Sequence, residues 1–224
     1  MKKISIAIDG PAAAGKSTVA KRVSEILGYT YIDTGAMYRA YTFYTLSKNV
    51  NPQNERATCK LIPEVTITLK PNHIVLCNGK DVTAEIRSQE VTANVSFIAS
   101  YKKIRLALVE QQRRMAATHN VVMDGRDIGT YVLPDADVKI YQIASVTTRA
   151  VRRYEENIGK GIQCSLDEIE QDIRRRDYID SNRDFAPLKP AQDSVWLDTS
   201  FMTIQEAVDA VLKIIKDKTE KKNG

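Results

Sequence analysis

Cysteine, histidine and tryptophan are scarce in this chain of 224 residues, numbering three, two and one. Cys59, Cys77 and Cys164 are odd in number, far apart and without a C-x-x-C pair, which argues against a disulfide framework and a thiolate zinc site. His73 and His119 alone leave little basis for a histidine metal centre. Long apolar runs are also missing, whereas a membrane span needs about 20 apolar residues. The start is basic and then apolar, Met1-Lys2-Lys3 before Ile4 to Ile8. That run is too short for a signal-peptide core, and Asp9 ends it. We therefore expect a cytoplasmic protein in a reducing compartment, with no membrane partner. Charge of one sign is not in large excess either: 33 basic against 28 acidic residues leave +5. Such a balance suits small polyanions at least as well as nucleic acid. Aromatics make up 7% of the chain and are scarce beside the arginines, so no nucleic-acid partner is expected. No internal repeat or low-complexity linker is visible.

What is present is an alternation of short apolar runs and helical periods. Ile4 to Ile8 reads as a buried strand ending at Asp9-Gly10-Pro11. Val19, Val23, Ile26 and Leu27 then recur at helical spacing, and Gly28 supplies a stop. Tyr29 to Asp33 predicts a second strand, and a helix is expected from about Ala36 to Ser47. Further strands are predicted at Val121 to Asp124, Val138 to Tyr141 and Val195 to Asp198. Residues 101 to 117 read as helix, and Ile204, Ala207, Val208, Val211, Leu212 and Ile215 line one face of a last helix. The charged tail from Lys216 to Gly224 is expected to fray. Between residues 60 and 95 the pattern changes: Val65, Ile67 and Leu69 alternate with polar residues, and Asn78-Gly79 signals a hairpin. That stretch predicts a small antiparallel sheet inserted into a β/α chain. The whole is expected to be an α/β fold, a parallel sheet flanked by helices. Ligands in such sheets sit beyond the C-terminal strand ends, where Asp9-Gly10, Asp33-Thr34 and Asp124-Gly125 fall.

Gly10-Pro11-Ala12-Ala13-Ala14-Gly15-Lys16-Ser17 follows the first strand and opens the first helix, and fits G-x-x-x-x-G-K-[ST]. Such a loop wraps backbone N–H groups around phosphates and adds the dipole of the helix start. Lys16 would reach the outer phosphates of ATP, and the Ser17 hydroxyl would bind Mg²⁺. A guanine-reading Asn-Lys-x-Asp element is absent, which argues against a GTPase. The chain is short for a motor or helicase ATPase, so a small kinase remains. Phosphoryl transfer works by positioning and charge stabilisation, and therefore needs arginines around two facing phosphates. Arg39 and Arg126 follow predicted strand ends, where phosphate contact is favoured over a solvated face. Arg149, Arg152 and Arg153 cluster in one helix before Gly159-Lys160-Gly161, a break that suggests a mobile flap over ATP. Arg174, Arg175, Arg176 and Arg183 form a later cluster.

Four segments resemble those of bacterial cytidylate kinases, within the P-loop nucleoside monophosphate kinase family. They are Asp9 to Ser17, Asp33 to Arg39, Asp124-Gly125-Arg126-Asp127-Ile128-Gly129-Thr130 and Arg176 to Pro190, and the resemblance runs from Ile4 to about Lys213. It implies a five-stranded parallel sheet, transfer of the ATP γ-phosphate to CMP or dCMP with Mg²⁺, and a monomer. It also implies a core from residues 1–35 and 118–224, a lid near 152–165, and an acceptor domain over 36–117 carrying the β insert. Asp9 through Ser17 and Arg152 would bind ATP, with Lys16, Arg126, Asp127 and Arg153 as the catalytic set. Thr34, Tyr38, Arg39, Arg126 and Arg183 would hold the acceptor phosphate, and Ser96, Arg105 and Asp127 the cytosine edge. Arg176 and Asp180 would hold the ribose, and Arg149, Arg152 or Arg153 would meet ATP phosphates on closure. The competing expectation is a P-loop kinase for another small acceptor, UMP or shikimate-like.

Overall fold

Short apolar runs become the strands of one sheet. The computed structural model describes residues 3–223, with side chains through Glu220. Met1, Lys2 and Gly224, read as parts of the basic start and the charged tail, lie outside the described residues. The sheet strands are β1 (Ser5–Asp9), β2 (Thr30–Asp33), β6 (Val121–Gly125), β7 (Val138–Ile143) and β8 (Val195–Asp198). Their order is β2-β6-β1-β7-β8, with every pairing parallel. The expected five-stranded parallel sheet is present, and its strands sit within two residues of the predicted limits.

Alternation along central β1 sends its side chains to two cores. Ile6 and Ile8 face α1 (Lys16–Leu27) and α8 (Ile204–Asn223), packing with Val19, Val23, Val208 and Val211. Ala7 faces the opposite layer with Ile32, Met123 and Val109, the last on α5 (Lys102–Thr118). Full burial of Ile6 and Ile8 contributes roughly 1.5–3 kcal/mol per side chain. Gly28 ends α1 in the left-handed conformation, donating its N–H to Ser24 and Glu25 carbonyls. α2 (Thr34–Ser47) starts two residues before the expected Ala36, because the Asp33 carboxylate caps it by accepting from Ala36 N at 2.7 Å. The charged tail from Lys216, expected to fray, continues α8 as helical backbone to Asn223. Ile215 anchors that turn in the core, and the charged residues beyond it are good helix formers.

The insert holds α3 (Glu55–Lys60) and three short antiparallel strands, β3 (Ile67–Leu69), β4 (Val75–Cys77) and β5 (Lys80–Asp81). The sheet is narrower than the predicted 60–95, because 3-10 turns flank it and α4 (Gln89–Ser100) begins inside that range. Asn78 and Gly79, with φ of 51° and 80°, make the expected turn between β4 and β5. Residues from Ala36 to Leu108 enclose a separate apolar core that includes Met37, Tyr41, Ile67, Ile86 and Ile98. α6 (Val146–Gly159) and α7 (Leu166–Asn182) form a hairpin through the Gly159 region. Among the described residues, no helix is long and apolar enough to cross a membrane.

Candidate active site

The parallel strands end at a cleft of about 580 Å³, lined from Ala13, Lys16 and Arg152 at one end to Ser96, Arg105 and Asp180 at the other. The glycine-rich loop forms one end. Gly10 is required by close approach: a Cβ there would lie 1.9 Å from the Gln142 carbonyl oxygen on β7. The loop then turns through two left-handed residues, Ala13 (φ 57°) and Gly15 (φ 84°), before α1 begins. Glycine takes that conformation freely, whereas alanine pays about 1–2 kcal/mol. Gln142 holds the turn from below, donating Nε2–H to the Ala14 carbonyl at 2.7 Å. Lys16 is buried and its Nζ donates to the Pro11 carbonyl at 2.7 Å. Burial, and then the charge of Arg126, lower its pKa to about 7. An ammonium so destabilised is poised to gain from an anion.

Asp124, at the end of β6, gathers the middle of the cleft. It accepts from the Ser17 hydroxyl and the Tyr31 hydroxyl, each at 2.8 Å. Burial and then neighbouring Asp33 push its pKa upward. Thr34, which lines the cleft, donates its hydroxyl to the Asp124 backbone carbonyl at 2.7 Å. Asp33 also pairs with Arg39 at 3.0 Å.

The far end is a buried ionic network. Asp127 accepts from Arg105 through one oxygen and from Arg183 at 3.2 Å through the other. The Ala99 carbonyl accepts from Arg105 at 3.0 Å and from Arg183 at 3.4 Å. Both arginine side chains are at most 2% exposed. Arg105 also lies over the Tyr38 ring at 5.2 Å. Arg126 donates to Asp180 at 2.9 Å, and burial followed by the Arg126 charge lowers the Arg176 pKa to about 10. Tyr38 Oη, Arg39 Nε and Arg176 Nε are buried without a hydrogen-bond partner. Buried groups of this kind are normally satisfied, so these fit a polar ligand.

The cleft thus brings together Ala13 to Ser17, Thr34, Tyr38, Arg39, Ser96, Arg105, Arg126, Asp127, Arg152, Arg153, Arg176, Asp180 and Arg183. Other expected residues lie elsewhere. Asp9, expected at the nucleotide, does not line the cleft. Its carboxylate accepts from Ile128 N at 2.8 Å and Gly129 N at 2.7 Å, and so supports the turn after β6. Gly10, Pro11 and Ala12 are likewise absent from the lining. Arg149, one of three arginines among which the sequence leaves the phosphate contact open, donates to protein groups: Ala144 O, Ala12 O and Asp177. Arg152 lines the cleft while donating to Thr199 O at 2.6 Å, and Arg153 lies 3.6 Å from Glu156. Tyr31, Gln142 and Asp177 were missed. A glutamine near the end of the β7 run and a lone acid after Arg174-Arg175-Arg176 were the available signals.

A parallel sheet with a phosphate loop after its central strand, facing a buried arginine cluster across one cleft, defines a P-loop kinase. A family profile described as cytidylate kinase matches residues 6–217, and the chain belongs to that family. It is 50% identical over 222 residues to the cytidylate kinase of Anoxybacillus flavithermus, covering 98% of this chain and 99% of the relative. It is 52% identical over 218 residues to that of Lactobacillus johnsonii, covering 96% and 95%. Among solved structures, a gluconokinase from Sinorhizobium meliloti aligns with TM-score 0.53 at 13% identity, covering 98% of this chain and 97% of the other. That likeness concerns the fold alone.

Proposed function

We propose that this chain transfers the γ-phosphate of ATP to CMP or dCMP, giving ADP with CDP or dCDP. The observation that carries this reading is the single cleft with a phosphate loop at one end and the buried Arg105–Asp127–Arg183 network at the other. Ala13 to Ser17 would cradle the donor phosphates, with Arg152 and Arg153 closing over them from the α6–α7 lid. Residues 1–35 and 118–224 would act as the core and 36–117 as the acceptor domain, the separate apolar core of the latter supporting that division.

At the acceptor end Asp127 is the base reader. A carboxylate offers about four lone-pair positions, so pairing with two arginines leaves it able to accept from the exocyclic amine of cytosine. Uracil presents a carbonyl there, which would face an acceptor and leave both unpaired. Ser96 and Arg105 complete the base edge. Arg176 and Asp180 would hold the sugar, and Arg39, Arg126, Arg183, Thr34 and Tyr38 the acceptor phosphate. Lys16, Arg126 and Arg153 would stabilise charge on the transferring group, so that positioning and electrostatics carry the rate without a strong general base. The oxygen donors Ser17 and Asp124 suit a hard divalent ion. Repulsion between Asp124 and Asp33 is the kind a cation relieves. Ser17 would hold Mg²⁺, which neutralises phosphate charge when bound. Free thiols at Cys59, Cys77 and Cys164 fit a reducing cytoplasm.

The test is coupled ADP release against CMP, dCMP, UMP and AMP for wild type and Asp127→Ala. We expect CMP and dCMP to be preferred by the wild type. The variant should lose about 100-fold in CMP turnover and most of the preference over UMP. Asp127→Asn serves as a second variant should the alanine form fail to fold. Equal use of UMP by the wild type, or an intact preference in a folded variant, would overturn the assignment.

A further inference from the structure

The lid helices are fastened to the phosphate loop at their roots. Asp177 on α7 accepts from Ala12 N at 3.0 Å through one oxygen and from Arg149 on α6 at 2.6 Å through the other. The same Arg149 nitrogen donates to Ala12 O at 2.9 Å, so two side chains close a ring around one residue of the loop. Arg149 Nε donates to Ala144 O at 2.9 Å, just beyond β7, and Arg149 is 4% exposed. The next loop residue is Ala13, the non-glycine residue at φ 57°. Its apolar surroundings include Ala150 of α6 and Ile169 and Ile173 of α7. A residue with a Cβ keeps a left-handed conformation only where its surroundings impose it. Here the polar clamp next to it and the apolar contacts around it both come from the lid helices. Neither Arg149 nor Asp177 lines the cleft.

We propose that Arg149 and Asp177 are a positioning pair for the donor nucleotide. They hold the Ala12–Ala13 backbone in the conformation that turns Ala13 to Ser17 into the cleft, and they do so without touching the ligand. This rests on reading Ala13 to Ser17 as the phosphate cradle. It also gives the lid a fixed root: the part free to move lies beyond Arg149 on α6 and before Asp177 on α7. An arginine that looks like a phosphate ligand in the sequence thereby becomes the residue that shapes the loop for phosphate.

Steady-state kinetics and calorimetric ATP binding without acceptor, on the full chain, test the pair. Asp177→Asn should raise both KM and Kd for ATP about tenfold while KM for CMP stays within about twofold. Arg149→Lys should behave alike, and the double variant should be no worse than the poorer single variant, because the two act as one unit. Should Asp177→Asn not fold, Arg149→Lys carries the same measurement. A lower melting temperature with unchanged ATP constants would mean a merely structural contact and overturn the proposal. So would a parallel rise in KM for ATP and CMP, or additive losses in the double variant. Failure of the wild type to bind ATP at all would sink the cradle reading instead.

Discussion

The two ends of the cleft are built on opposite principles. The proposed acceptor end is made of side chains engaged with one another: Arg105, Arg183 and Asp127 are paired and buried. The proposed donor end is made of backbone, shaped by one required glycine and one strained alanine and held by Gln142 and, from outside the cleft, by Arg149 and Asp177. A planar base with a fixed hydrogen-bonding edge rewards groups locked at set angles. A phosphate chain presents oxygens in many directions, and a curved row of N–H groups meets it more broadly. Charge follows the same division for the central ions: Asp127 is ion-paired with Arg105 and Arg183, whereas Lys16 donates to a carbonyl, and burial and the Arg126 charge outweigh the nearby carboxylates to bring its pKa to about 7.

The sharpest way to break this comparison is to remove charge at each end. Lys16→Met should cut turnover about 10³-fold, since one donor to the developing charge is lost. Melting of the free protein should stay level or rise, because burial and the Arg126 charge cost the ammonium more than its neighbouring carboxylates return. A marked drop in stability would show that Lys16 holds the loop as well. Arg105→Met should behave in the other sense and destabilise the free protein by about 3 kcal/mol, because Asp127 loses a buried partner. Chemical denaturation would measure it, and a neutral result would mean that Arg183 alone satisfies Asp127. The smallest effect concerns pH. Burial, ahead of all other causes, pushes the Asp9 pKa up to about 7 from an ordinary 3.8. The folded state then binds the extra proton between those two values, so this group favours folding at low pH and loses that contribution as pH rises through 7. Asp9→Asn removes the ionisation. The stability of wild type relative to this variant should fall when pH is raised from about 5 to about 8, read from melting temperatures of both proteins at each pH.

The sheet was legible because its strands are short apolar runs, four of the five with an aspartate at or beside the end (Asp9, Asp33, Asp124 and Asp198), and the phosphate loop because its spacing is demanded by what it wraps. The site was legible where residues follow strand ends: Thr34, Arg39, Arg126 and Asp127 all line the cleft. It was less so where function passes through an intermediary. Arg149 sits among arginines of the same helix, yet only the chain's path shows that it faces Ala12 rather than the cleft. Asp9 touches the loop in sequence and the turn after β6 in space. Tyr31 reaches Asp124 across neighbouring strands, a pairing that depends on sheet order. The helical reach of the tail was not legible from its charge: the backbone continues α8 past Ile215, which is anchored in the core, to Asn223.

The sole tryptophan of the chain, Trp196, stands on edge strand β8, 59% exposed, with its ring 4.9 Å from that of Tyr141 on β7. Its fluorescence therefore reports on that edge of the sheet. The region whose apolar core runs from Ala36 to Leu108 contains tyrosines but no indole, so tryptophan emission excited selectively does not report on it. Far-ultraviolet circular dichroism, by contrast, averages over all helices. Unfolding curves from the two signals will coincide only if insert and sheet melt together, so a single native chromophore suffices to show whether this enzyme unfolds as one cooperative unit or two.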